Sequence, residues 1–404
     1  MLKSNRILIK GMSIYTEDGI IESGYIRMEN GLIQDIGTLE KLDVTSPNEG
    51  YTEIQVPSHY RAIPGFIDIH IHGAAGADTM DATKEALDTM AAALPKEGTT
   101  SFLATTITQD QPSIERALVN AGEYINGTQL PGQAEILGVH LEGPFINANK
   151  AGAQPVQHIL DAQLSAFQKW QSLSKNTIRL VTLAPECPGG YELIQYLKEE
   201  GIVASIGHSD ATYEQVRKAI DAGASQVTHL FNQMRGLHHR EPGVAGAALL
   251  HDELKAEIIA DGIHVRPEMI KLAYQQKGRS GLILITDAMR AKCLKNGTYD
   301  LGGQDVTVKD GKAVLSDGTL AGSVLHLDQA VQNILSFTDC SLESAIEMAA
   351  VNPAKQLGVF DRKGSITIGK DADVVIVTDE NETFMTFCRG ELAYHRGEES
   401  YANN

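Results

Sequence analysis

Cysteine is scarce in this chain. Its 404 residues hold four (Cys187, Cys293, Cys340 and Cys388), far apart and with no Cys-x-x-Cys pair. That excludes a disulfide framework and points to a reducing compartment, the cytoplasm. Long apolar runs are missing as well. No stretch approaches the roughly 18 apolar residues of a membrane span. The start, Met1-Leu-Lys-Ser-Asn-Arg-Ile-Leu-Ile-Lys10, has no apolar run that suits a signal peptide. Positive charge is short too: 34 Lys and Arg against 52 Asp and Glu leave a formal charge of −18. Such a balance argues against nucleic acid or an anionic membrane as partner. It also repels a phosphorylated substrate, so any phosphate site must be local and basic. Internal repeats and low-complexity segments are absent.

What remains is an ordinary globular composition, 42% apolar and 21% charged. The length fits a large barrel plus a smaller module. Segments 6–10, 25–28 and 32–36 are short β-prone runs, punctuated by Asp18-Gly19, Ser23-Gly24 and Asn30-Gly31. Asn-Gly between such runs is a strong hairpin signal. The texture returns in 364–369, 372–377 and 383–387, with a turn at Arg389-Gly390. These two tails, 1–62 and 361–404, predict one small β-sandwich assembled from both termini.

Between them, 63–360 alternates apolar strands with helical stretches such as 81–96 and 191–200, the pattern of βαβ units. Eight strands are predicted, at 65–73, 99–107, 136–145, 178–186, 203–209, 226–232, 255–264 and 282–289. Eight such units close into a (β/α)8 TIM barrel. An open doubly wound sheet is the alternative, but no Gly-x-Gly-x-x-Gly loop follows the first strand.

Barrel enzymes place their chemistry at the C-terminal ends of the strands. Here the first predicted strand closes with His70-Ile-His72, the third with Glu142, the fifth with His208, the sixth with His229 and the eighth with Asp287. His70 and His72, two apart on a strand, point to the same side. A single strand histidine is most often a hydrogen-bonded core residue. Four histidines and two carboxylates at five strand ends are another matter, because unpartnered burial costs roughly 1–3 kcal/mol each. A divalent metal resolves the conflict, since imidazole and carboxylate suit Zn, Fe or Mn. Asp68 reads as an orienter behind the site and His140 as a ligand or a core residue. His158, His251 and His326 read as structural.

These residues resemble the amidohydrolase superfamily and, within it, the N-acetylglucosamine-6-phosphate deacetylases. The likeness runs through Pro64-Gly-Phe-Ile-Asp-Ile-His-Ile-His-Gly73, His140-Leu-Glu-Gly-Pro-Phe145, Thr228-His-Leu-Phe-Asn232, Ile259-Ala-Asp-Gly-Ile-His264 and Thr286-Asp-Ala-Met289, and covers nearly the whole chain. It implies hydrolysis of an N-acetylated amino-sugar phosphate, with Glu142, His208 and His229 holding one metal ion. His70 and His72 suggest a second, bridged by Glu142. Zinc is the expected metal, with Fe, Mn or Co as substitutes. Asp287 becomes the acid and base of catalysis, and His264 polarises the acetyl carbonyl. Substrate contacts are implied at Ala153, Asn232, Gln233, Asp261-Gly262, His264 and Leu320-Ala321-Gly322. Arg240, in the basic loop Gly236-Leu-His-His-Arg240, is implied to grip the phosphate, from the neighbouring subunit of a homodimer. Two departures stand out: Gln154 where some relatives have histidine, and Gln233 where many have alanine.

Other amidohydrolases fit the sequence less well. Dihydroorotases with two metals use a carbamylated lysine on the fourth strand, and 178–185 contains none. Base deaminases need no phosphate loop. A catalytically dead scaffold would have lost ligands, and none is missing.

Overall fold

The computed structural model describes residues 6–42 and 50–397. The extreme ends of the two predicted tails, 1–5 and 398–404, and the segment 43–49 lie outside the described residues.

Eight parallel strands form one sheet in sequence order. They are β1 (Phe66–Ile71), β2 (Thr99–Thr106), β3 (Glu135–Glu142), β4 (Ile178–Leu183), β5 (Val203–Ile206), β6 (Gln226–Val227), β7 (Lys255–Ile259) and β8 (Leu282–Ile285). Strands β1, β2, β5 and β8 are buried along their whole length, as expected where helices cover the outside and side chains fill the inside. The ring closes at its C-terminal end. Asp287 N donates to His70 O at 2.8 Å and His72 N to Ala288 O at 2.9 Å, joining β8 back to β1.

The predicted helix at 81–96 is Lys84–Ala93, capped by the Thr83 hydroxyl, which accepts from Ala86 N. Pro95 cannot continue it, and a 3-10 turn ends at Gly98 with φ 77°. The helix predicted at 191–200 is Gly190–Glu199. After β5, Thr212 and Gln215 form a capping box that starts Tyr213–Ala222.

Strands from both ends of the chain share a second body. A four-stranded sheet comprises Leu32–Thr38, Gly24–Glu29, Arg6–Lys10 and Thr52–Gln55. A six-stranded sheet runs Glu391–His395, Thr383–Cys388, Val374–Val377, Arg61–Pro64, Ser13–Thr16, Gly19–Ile21. Ile7, Ile9, Ile14, Val374, Ile376 and Phe387 meet in their common core. Asn30 and Gly31 turn between paired strands with φ 52° and 82°, the doubly positive turn that Asn-Gly favours. Segment 364–369, expected as a strand, is not one. Gly364 and Gly369 have φ 80° and 89°, which breaks the extension, and only Ile366 makes an isolated bridge, to Thr16.

A three-stranded insertion after β8 was not foreseen: Gly297–Leu301, Gln304–Lys309 and Lys312–Val314. Its Leu301, Val306, Val308 and Ala313 pack with Ile107 and Met289 in a small core of their own. Gln304 Nε2 donates to Ala153 O at 2.6 Å, which fastens the insertion over the barrel mouth. No helix among the described residues is long and apolar enough to cross a membrane. All four cysteines are free.

Candidate active site

The side chains at the barrel mouth converge because the chain leaves the strands sharply. His208, His229 and Asp287 have φ of 46°, 30° and 50°, a left-handed region that non-glycine residues rarely occupy. Each follows the end of β5, β6 or β8 by two residues and turns its side chain inward.

Two clusters of ligand-type atoms result, each within 4.8 Å: His70, His72 and Asp287, then Glu142, His208 and His229. Glu142 joins them. Its Oε1 lies 3.2 Å from Nε2 of His208 and of His229, and 3.4 Å from Nε2 of His70. Its Oε2 lies 3.3 Å from His72 Nε2. Asp287 Oδ1 stands 3.5 Å from His70 Nε2 and 3.3 Å from His72 Nε2.

The donor set fits a divalent cation. His70 Nε2 is buried without a hydrogen-bond partner. His208 and His229 bring their Nε2 atoms to 3.1 Å of each other, facing one carboxylate oxygen. His208 Nδ1 donates to the Lys150 carbonyl at 2.8 Å, so a neutral ring presents its Nε2 lone pair to the cluster. Such convergence of nitrogen lone pairs on carboxylates is poorly satisfied by protons and well satisfied by a metal.

The field of the site follows from its composition. Burial opposes the His70 imidazolium, but the carboxylates of Asp287, Glu142 and Glu257 outweigh it and hold the ring well above its usual value. His72 is lifted to about 9, again against burial, by hydrogen bonds to Asp287 and Glu142. Burial would raise the Glu142 carboxyl, yet His70, His208 and His229 hold it well below the usual range. Asp287 is lowered by His70 and His72 against the same opposition.

The residues behind the clusters sort themselves. Asp68 accepts from the Thr286 hydroxyl at 2.5 Å and the His70 N–H at 3.2 Å, tying β1 to β8. Burial raises its carboxyl to about 6. His140 is fully buried with Nε2 2.7 Å from the Thr182 hydroxyl, its ring 4.5 Å from that of His70. Burial and the His70 charge push it well below its usual value, so it is a neutral ring behind the site.

A cavity of about 470 Å³ opens above the clusters, and His72, Glu142, His208, His229 and Asp287 form its floor. Of the residues expected to touch substrate, Ala153, Asn232, Gln233, His264, Leu320 and Gly322 line it. Arg240, Asp261, Gly262 and Ala321 do not. Asp261 instead orients His264: its Oδ2 accepts from His264 Nδ1 at 2.6 Å, and its Oδ1 from the backbone N–H of Ile263 and His264 at 2.8 Å. Burial pulls the His264 imidazolium down, but this carboxylate holds it above its usual value. Arg240 lies on an exposed hairpin, its Nη1 2.8 Å from His239 Nε2 and its backbone N–H 3.3 Å from His238 Nδ1. Its neighbour Glu241 faces the backbone N–H groups of Tyr213 and Gly243. Among the described residues, no lysine or arginine lines the cavity.

Three roles are not legible in the sequence. Gln154 Nε2 donates to Glu142 Oε2 at 2.7 Å while its Oε1 accepts from Thr108 N at 2.8 Å, so the amide steadies the bridging carboxylate. Ile107 and Leu301 supply an apolar wall. Glu257, on β7, contacts both clusters; its one sequence signal is an acidic residue inside an apolar strand.

A parallel eight-stranded barrel with histidines and carboxylates clustered at its C-terminal mouth defines a metal-dependent hydrolase class. The chain belongs to the amidohydrolase family, whose profile matches residues 61–393. It is 51% identical over 391 residues to the N-acetylglucosamine-6-phosphate deacetylase of Bacillus subtilis (strain 168), covering 96% of this chain and 97% of that protein. The solved N-acetylglucosamine-6-phosphate deacetylase of Thermotoga maritima superposes with a TM-score of 0.85 at 36% identity, covering 96% of this chain and all of that one. A mutant deacetylase from Mycobacterium smegmatis, solved in complex with N-acetyl-D-glucosamine-6-phosphate, gives 0.88 at 29% identity, over 96% and 100%.

Proposed function

We propose that this chain hydrolyses N-acetyl-D-glucosamine 6-phosphate to D-glucosamine 6-phosphate and acetate, in amino-sugar catabolism or recycling. The observation that carries this is the convergence of both ligand clusters, Asp287 and His264 on one cavity. The Bacillus and Mycobacterium relatives narrow the substrate.

Glu142, His208 and His229 would hold one divalent ion, and His70 and His72 with Asp287 a second, zinc first among the metals and Fe, Mn or Co as substitutes. When bound, such an ion supplies Lewis acidity and lowers the pKa of water from 15.7 towards ~7. The chain's own groups do the rest. Asp287 is ionised at neutral pH, so its carboxylate takes a proton from the attacking water and returns it to the departing nitrogen. That return matters because an amide expels its nitrogen poorly unless the nitrogen is protonated. His264, held as a donor by Asp261, steadies the acetyl oxygen as it becomes negative, a role worth roughly 2.7–4 kcal/mol in comparable sites. Ile107 and Leu301 exclude water from the other side.

The phosphate needs a cation, and none stands among the described residues that line the cavity of one chain. Arg240 projects from an exposed hairpin beside Leu237, which is 62% exposed. A homodimer in which this hairpin enters the partner's cavity supplies the charge and covers the leucine. Asp261, Gly262 and Ala321 would then border the sugar from the rim. The division into 1–62 and 361–404 around a barrel at 63–360 belongs to the same reading, supported by separate apolar cores. So does a cytoplasmic location, supported by four free thiols.

The test is acetate release from N-acetylglucosamine 6-phosphate by purified protein, with metal content measured on the same sample. Release that chelation abolishes is expected. No release at full metal occupancy would overturn the substrate.

A further inference from the structure

Glu257 lies in the middle of β7, fully buried, with its side chain inside the barrel. A buried carboxylate costs several kcal/mol unless donors surround it. Its three side-chain partners are all donors. Oε1 accepts from Gln226 Nε2 at 2.7 Å. Oε2 accepts from His70 Nδ1 at 3.0 Å and from the backbone N–H of His229 at 3.2 Å. One carboxylate therefore touches the ring of a histidine in the first cluster and the backbone of a histidine in the second.

The bond to His70 has a chemical consequence. A carboxylate only accepts, so a neutral His70 ring facing it carries its one proton on Nδ1. The Nε2 lone pair then points at the space between Glu142 and Asp287. Without Glu257 the proton can move to Nε2, which lies 3.4 Å from Glu142 Oε1 and 3.5 Å from Asp287 Oδ1. The ring would hydrogen-bond its own neighbours and close the cluster to a cation. In the second cluster the Lys150 carbonyl fixes His208 in the same way, at 2.8 Å.

We infer that Glu257 is a positioning residue: it fixes the tautomer of His70 and thereby decides whether the cluster of His70, His72 and Asp287 holds an ion. The inference rests on the metal reading above, and goes further by assigning occupancy of one cluster to a residue outside both.

The experiment uses metal-free full-length protein reloaded with Co(II), with stoichiometry, chelator-competition affinity and the Co(II) absorption spectrum as readouts. Wild type, Glu257→Gln and Glu257→Leu are compared, alone and combined with His72→Asn. Wild type should take up two ions. Glu257→Leu, with no acceptor, should weaken one of them by about 100-fold. Glu257→Gln, which keeps an acceptor oxygen but loses the charge, should weaken the same ion by about 10-fold. In Glu257→Gln, whose amide oxygen still accepts from the His229 N–H, the ion at Glu142, His208 and His229 should be unchanged, also in the His72→Asn background. If Glu257→Leu does not fold, Glu257→Gln decides alone. Two ions bound at wild-type affinity in Glu257→Gln would overturn the role of Glu257 and leave the metal reading intact. Equal weakening of both ions would show a merely structural role and also overturn it. A wild type that binds nothing at the first cluster would overturn both readings together.

Discussion

Metal binding should be coupled to proton release, steeply and over an unusual range. Without metal, His72 is protonated up to about pH 9, and His70 is held well above its usual value by the surrounding carboxylates. A cation can use these rings only after their protons leave. The sign follows directly: below about pH 9 the His72 proton weakens apparent affinity tenfold per unit of falling pH, and above it that contribution vanishes. At pH 7 the deficit from His72 alone is about two units, a factor of about 100 in apparent affinity. His70, also held above its usual value by the carboxylates, steepens the dependence in the same direction. Histidines at an ordinary pKa near 6.5 would level off about two and a half units earlier. The assay is chelator competition with Zn(II) from pH 6 to 8.5, with calorimetry in two buffers of different ionisation enthalpy to count protons. An affinity that stops rising near pH 6.5, with no net proton release at pH 7.5, would refute the electrostatic account of the cluster.

Two further outcomes are expected. Asp287→Asn should lower kcat for acetate release by about 10²–10⁴-fold with metal content intact, since the amide keeps an oxygen at the cluster; near-normal turnover would remove Asp287 as the acid and base. Arg240→Ala should raise KM for the phosphorylated sugar and leave the unphosphorylated sugar unaffected, while sedimentation equilibrium of the wild type should show a dimer; a monomer would exclude Arg240 acting across an interface.

The barrel was readable because its strands are apolar and β-branched and its histidines recur where such strands end. His70 and His72 obey the period of two, and both point into one cluster. The insertion at 297–314 escaped prediction although its signal is local: Gly302-Gly303 turns between two paired strands with φ 62° and 78°, the same doubly positive turn that Asn30-Gly31 makes. Glu257 was harder. Its meaning lies in partners on β1 and at the end of β6, which no window along the chain brings together.

The lengths of β5 and β6 carry the deepest lesson. The sequence pattern extends them to 209 and 232, but the ladders stop at Ile206 and Val227. Propensity favours extension at His208 and His229, and the chain bends there into a left-handed conformation that costs about 1–3 kcal/mol per residue. Surrounding contacts must over-determine that conformation. Lys150 O holds the His208 ring, Glu257 the His229 N–H, and for Asp287 the backbone bond to His70 closes the barrel. Local preference therefore fails at three of the six residues that form the two clusters. Extended backbone would send these side chains along the strand's alternating faces; the bend brings them to one point. A sequence pattern can mark which residues gather at a barrel mouth, because their types are out of place in an apolar strand. It cannot show the bend that gathers them, because that bend is paid for by contacts made across the barrel.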